Sequence, residues 1–248
     1  MPYSFLCLPN RFQNAILKTI RRCVSTKKQR TQRDPNDGLR IVSAVSHGFG
    51  VALSLTGLIA LLIRGFENAV SGLHFLAYTL YGVSAIALYL ASTLYHSVRT
   101  SLIQRLRLRK FDHSMIYVLI AGSYTPICLL SIPQQGGILM LILVWCVALF
   151  GVITSIFWID KPRWLSASLY LGMGWMALMV IKPLLANLPP RGLLWLLLGG
   201  IFYSVGAIFY ALKWPGRDHP IFGFHEIFHF FVLAGSISHY CLIFCYLS

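Results

Sequence analysis

Charge is scarce in this chain, and acid scarcer still: 11% of the 248 residues are charged, with 7 Asp and Glu against 21 Lys and Arg. So thin a polar coat cannot cover a soluble domain, and a hydrophobic content of 57% predicts an all-α polytopic membrane protein instead. A paired cysteine framework is also missing. Cys7, Cys23, Cys128, Cys146, Cys241 and Cys245 follow no disulfide or metal-knuckle spacing, and they read as small packing residues. No secretory leader precedes the first apolar run, because residues 1–40 carry charges throughout, so this N-terminus is expected to be retained. The net charge of +14 raises the question of nucleic acid, but the basic residues sit in the tail and between apolar runs, with no stacking surface among them. That pattern excludes a nucleic-acid partner and fits membrane orientation and anionic lipid headgroups.

What is present is a series of apolar runs, each long enough for the roughly 20 residues that cross a hydrocarbon core of about 30 Å. Seven are predicted, at 41–63, 72–96, 113–131, 137–157, 165–185, 192–212 and 225–247, giving a seven-helix domain over 41–248 behind a basic tail of 1–40. Pro126 and Pro183 are expected to kink their helices, and Gly172, Gly174, Gly199, Gly200 and Gly206 to permit close helix approach. All but three of the Lys and Arg fall in the tail and in the loops on its side of the membrane, with only Arg64, Lys182 and Arg191 opposite. The tail is therefore expected in the cytoplasm and the C-terminus across the membrane. Within the tail, Phe12, Ile16, Ile20 and Val24 recur at helical spacing, which suits either an interfacial helix or a disordered basic arm. Trp158, Trp164 and Trp214 at span ends read as an interface belt.

Polar residues inside the runs are few, and three groups share one depth. Ser92 and His96 close the second run, Asp112 and His113 open the third, and His225-Glu226-Ile227-Phe228-His229 opens the seventh. The last reads H-E-x-x-H, whose two histidines share a helix face and can reach one metal ion. With His96 as a third nitrogen ligand, a tetrahedral Zn²⁺ keeps its fourth position for water, the catalytic pattern. Ser92, one turn before His96, can hold a hydrogen bond at the site or donate to a developing oxyanion. Asp112 is the preferred general base and Glu226 its rival, while His113 is expected to point elsewhere on the helix. His47 either lines the same cavity or packs between helices. His239 lies fourteen residues past His225, about 20 Å deeper at 1.5 Å per residue, and cannot share that metal.

Taken together, Ser92-x-x-x-His96, Phe111-Asp112-His113, the run Ala121-Gly122-Ser123-Tyr124-Thr125-Pro126 and His225-x-x-x-His229 resemble the hemolysin III family, the bacterial branch of the progestin and adipoQ receptors. The resemblance covers about 41–248. It implies seven helices around a zinc held by His96, His225 and His229, with Asp112 and Ser92 near its water, in a bacterial inner membrane, and a distant relation to alkaline ceramidases. Other bacterial members carry acidic residues and an Asn before the first-span histidine. This chain has Leu39, Arg40 and Ser43 there, so that segment is not expected to contribute to the site.

The function expected on these grounds is hydrolysis of a lipid amide or ester by zinc. Two other readings stand beside it: a receptor-like or membrane-homeostasis protein with structural zinc, and a cytolysin.

Overall fold

Eight α-helices and three short helical turns account for nearly all of the described chain. The structure is a computed structural model that describes residues 38–216, 219 and 221–248. The part of the tail that suits either an interfacial helix or a disordered arm, Phe12 to Val24, lies outside these residues. The helices are α1 (Ile41–Glu67), α2 (Gly72–Ser97), α3 (Leu102–Pro126), α4 (Ile138–Phe157), α5 (Arg163–Trp175), α6 (Ile181–Asn187), α7 (Pro190–Leu212) and α8 (Phe224–Tyr246). Seven continuous helical stretches are long and apolar enough to cross a membrane, α5 and α6 forming one of them.

Two spans change helical pitch beside the prolines expected to kink them. Pro126 closes α3 into a wider π turn at Ile127–Ser131, and Pro183 sits just after a 3₁₀ segment, Met176–Val180, that separates α5 from α6. A proline ring cannot donate the helix hydrogen bond and crowds the preceding turn, so the backbone repitches locally.

The third span departs from expectation. Helix α3 begins at Leu102, eleven residues before the predicted start, and takes in Arg105, Arg107, Arg109 and Lys110. Ser101 caps it by accepting from the Gln104 N–H, and Leu, Gln, Arg and Lys are good helix formers. Apolarity marks where a helix enters lipid, not where its hydrogen bonds begin. Arg105 is buried and donates to the Tyr95 carbonyl, while Arg109 reaches Asp160 at 3.0 Å in the α4–α5 loop.

The packing forms a ring. Each of α1 to α4 packs on the next, α5 packs on α7, α7 on α8, and α8 returns to α1. The second, third and seventh spans are the interior ones, with 56%, 61% and 50% of their apolar windows buried against 22–28% in the other four. Those three carry Ser92 and His96, Asp112, and His225 and His229. Close approach rests on small residues, though not all those foreseen. A Cβ at Gly199 or Gly206 would collide with His239 or Phe231, but Gly172, Gly174 and Gly200 face open space. The tight crossing of α2 and α3 is made instead by Gly122 against Ser84. Trp158, Trp164 and Trp214 lie exposed at helix ends, as an interface belt requires.

Candidate metal centre

Helix α2 ends and α8 begins at the same level of the bundle, and their histidines meet there. The Nε2 atoms of His96 and His225 are 3.2 Å apart, as are those of His225 and His229. One ligand atom from each of the three lies within 4.8 Å of the others. His96 and His229 are 2% exposed. Among the described residues, this is where three donor side chains converge closely enough to hold a metal ion.

The orientation of His96 is set from behind. Its Nδ1 lies 2.6 Å from the carbonyl of Gly38, and because a carbonyl can only accept, Nδ1 carries the proton. Nε2 of the neutral ring is then a lone pair turned to its two partners, the arrangement found around metal-bound histidines. Gly38 adopts φ +96°, a left-handed conformation open to glycine, and a Cβ there would strike the Tyr95 ring. The next turn of chain is tied down too, for the Arg40 N–H donates to the His96 carbonyl at 3.1 Å.

Glu226 sits at the same helix end but serves that end. Its Oε2 accepts from the Gly223 N–H at 2.9 Å, capping α8, while Oε1 accepts from Arg40 at 2.9 Å and Ser43 at 3.1 Å. It is fully buried and absent from the pocket walls. The segment before His47, not expected to contribute, therefore does so through Arg40 and Ser43, which hold the acid of the H-E-x-x-H motif.

The pocket beside the histidines is walled by Ser92, Asp112, His113, His47 and Tyr170 among others. Two expectations are revised here. His113 does not point elsewhere: its Nδ1 is 3.3 Å from Asp112 Oδ2, and its ring lines the pocket. His47 is on the wall, stacked on His229 with centroids 3.7 Å apart and edge-on to Tyr89. Asp112 and His113 lie in the middle of α3, about 100° apart around its axis, so no spacing in the sequence marked His113 for the same pocket. His239 is remote, as its sequence distance requires.

Beyond Leu88, Ile116, Tyr170, Phe228 and Val232, which line both, the pocket gives onto a larger apolar cavity of about 270 Å³ among α3, α5, α6, α7 and α8. Its walls are almost entirely aliphatic and aromatic. A polar pocket with titratable groups that adjoins an apolar space has the build of a site for an amphipathic ligand.

Comparison with known proteins matches residues 40–240 to the family described as "Haemolysin-III related". The chain is 42% identical over 205 residues to "Hemolysin-3 homolog" of Bacillus subtilis (strain 168), covering 82% of this chain and 92% of that protein. It is 40% identical over 205 residues to "Hemolysin-3" of Bacillus cereus, covering 82% and 90%. A more distant likeness, 29% over 177 residues and covering 68% and 69%, is to "Monocyte to macrophage differentiation factor" of Homo sapiens. With seven apolar spans, these similarities mark an integral membrane protein, consistent with a bacterial plasma membrane.

Proposed function

The chain belongs to the haemolysin-III related family, and from that premise we propose that it is a zinc-dependent hydrolase of an amide or ester bond in a membrane lipid. The observation that carries this reading is the meeting of three imidazoles from two spans within 4.8 Å, beside a carboxylate, at the head of an apolar cavity. Three nitrogen ligands leave a tetrahedral ion one open position, as in catalytic zinc sites. The committed Nδ1 of His96 suits that role. Zinc, when bound, supplies Lewis acidity that favours deprotonation of water near neutral pH and polarises a carbonyl.

The chain's own residues carry the remaining steps. Asp112 takes the proton from water as its oxygen adds to the carbonyl carbon. It returns that proton to the nitrogen or oxygen that leaves when the C–N or C–O bond breaks. Ser92 donates a hydrogen bond to the carbonyl oxygen as charge gathers there. Glu226 is not cast as the base, since both its oxygens already accept hydrogen bonds. The apolar walls hold the acyl chain and keep bulk water away. The site faces the cytoplasm in this reading, with the basic loops on its side.

Metal analysis and turnover test it together. Purified protein should carry one zinc, His96→Ala and His229→Ala should each lose it, and Asp112→Ala should keep the metal and lose lipid turnover. Turnover intact in Asp112→Ala overturns the mechanism. A structural zinc has its own support, because the three histidines join the second span to the seventh. That reading predicts a zinc whose removal lowers thermal stability, with no turnover on any lipid. Cytolysis, the activity in the names of the Bacillus relatives, is opposed by an interior filled with Tyr78, Tyr89 and Tyr117, and dye release from pure lipid vesicles checks it.

A further inference from the structure

Three cations at the histidine end of the bundle have polar partners. Arg40 is paired with Glu226, Arg109 with Asp160, and the Lys161 ammonium is turned inward onto Thr154 and Tyr117. Arg163, the first residue of α5, is exposed and meets no acid among the described residues. Its guanidinium carbon lies instead over two rings, 5.3 Å from the centre of Tyr210 and 5.2 Å from that of Phe224. Tyr210 is a wall of the histidine pocket, and the two rings adjoin His225 with centroids 6.1 and 6.3 Å away. Arg163 is thus one ring removed from the converging histidines.

Stacking holds a guanidinium in place without consuming its donors. The rings meet its π surface, while the N–H fork lies in its plane and can grip an oxyanion with two parallel hydrogen bonds. Its depth suits such a ligand. Trp164, the next residue, is 62% exposed at the same helix end, where an interface residue stands, so Arg163 lies at the level of the lipid headgroups. Tyr170, seven residues on and so on the same face of α5, lines both the histidine pocket and the apolar cavity, and Gly174 a turn further lines the cavity. One face of α5 therefore runs from a cation, past the polar pocket, into a space walled by hydrocarbon.

We propose that Arg163 binds the phosphate of a phospholipid whose acyl bond lies in the histidine pocket, which makes phosphate-bearing lipids the substrate class of this site. In such a lipid the order of groups is phosphate, acyl bond, hydrocarbon chain, the order met along α5. Glycerol separates the phosphate from the acyl bond by a span comparable to one aromatic side chain, and one aromatic side chain separates Arg163 from His225. A carboxylate fits the position less well, because that of a released acyl chain would remain at the pocket itself. The proposal rests on the reading of pocket and cavity as a lipid site, but not on turnover.

Ether lipids, which have no acyl bond to cleave, test it. Full-length protein in neutral detergent is titrated with 1-O-octadecylglycerol 3-phosphate, with 1-O-octadecylglycerol and with inorganic phosphate. The wild type should bind the phosphorylated ether about tenfold more tightly than the neutral one, the scale of a charge-assisted hydrogen bond. Arg163→Gln and Arg163→Leu should bring that ratio to about one while still binding both ethers, and Arg163→Lys should keep part of it as a point charge. Arg107→Gln, which removes an exposed cation of α3, should leave the ratio unchanged. Equal binding of the two ethers by the wild type, a preference that persists in both neutral variants, or an equal loss in Arg107→Gln overturns the assignment of Arg163. Inorganic phosphate bound as tightly as the phosphorylated ether also overturns it, since the site would then serve a free anion. If neither ether binds, the lipid reading of the cavity fails with it, whereas selective binding by a protein that hydrolyses nothing leaves the proposal standing as a binding site and removes only the hydrolase.

Discussion

At the scale of single residues, the two carboxylates near the histidines have different surroundings, and their variants should separate. Asp112 lines the pocket with an imidazole beside it, so Asp112→Ala is expected to cut lipid turnover by about 10²- to 10⁴-fold, the usual contribution of a general base, with little change in melting. Glu226 meets three donors and no pocket, so Glu226→Ala should leave turnover measurable and lower stability by about 2 kcal/mol in a denaturation series, as Arg40, Ser43 and the Gly223 N–H lose their acceptor. Lys161, in the loop after α4, offers a pH test. Burial lowers its pKa from the ordinary 10.5, and its ammonium meets Thr154 at 3.0 Å and Tyr117 at 3.3 Å. The folded state therefore favours the neutral amine, and stability should rise as pH climbs from the lowered folded value toward 10.5. Lys161→Met should remove that slope from melting curves. The sequence made the convergence of the three histidines legible, because spacing and depth are one-dimensional quantities. The neighbours of Glu226 were not legible, because 183 and 186 residues separate it from Ser43 and Arg40, and no periodicity reports which helix closes the ring.

At the scale of elements, six of the seven spans begin and end within about four residues of the apolar runs that predicted them. The exception, α3, carries its charges inside the helix. Long Arg and Lys stems let a helix continue past the hydrocarbon while the charged heads find water, acids or carbonyls. Hydropathy cannot register such a turn, whereas helix propensity can. The glycines divide on the same ground: composition shows where a helix has room, and only the partner surface shows whether the room is used. Gly122 uses it, so Gly122→Val should destabilise the α2–α3 crossing by roughly 1–3 kcal/mol, read as a lower melting temperature in detergent. The stretch from Gly38 to Arg40 is the other element with leverage. Its carbonyl aims His96 and its guanidinium holds α8, so Arg40→Ala should weaken metal retention about tenfold against a chelating dye without removing any ligand.

At the scale of the whole molecule, the bundle closes where α8 meets α1, and the three converging histidines belong to spans two and seven. Stripping metal with a chelator should therefore lower the melting temperature of the entire bundle, and His96→Ala should melt at the stripped value with or without added zinc. Reporter fusions should find the N-terminus in the cytoplasm and the C-terminus across the membrane, as the asymmetry of Lys and Arg requires. The spread of the donor set along the chain bears on biosynthesis. A nascent chain has only His96 to offer until its final span has emerged, been inserted and packed beside the second. One imidazole cannot retain an ion that three would hold, so on the zinc reading the site can be loaded only after the seventh span has packed beside the second.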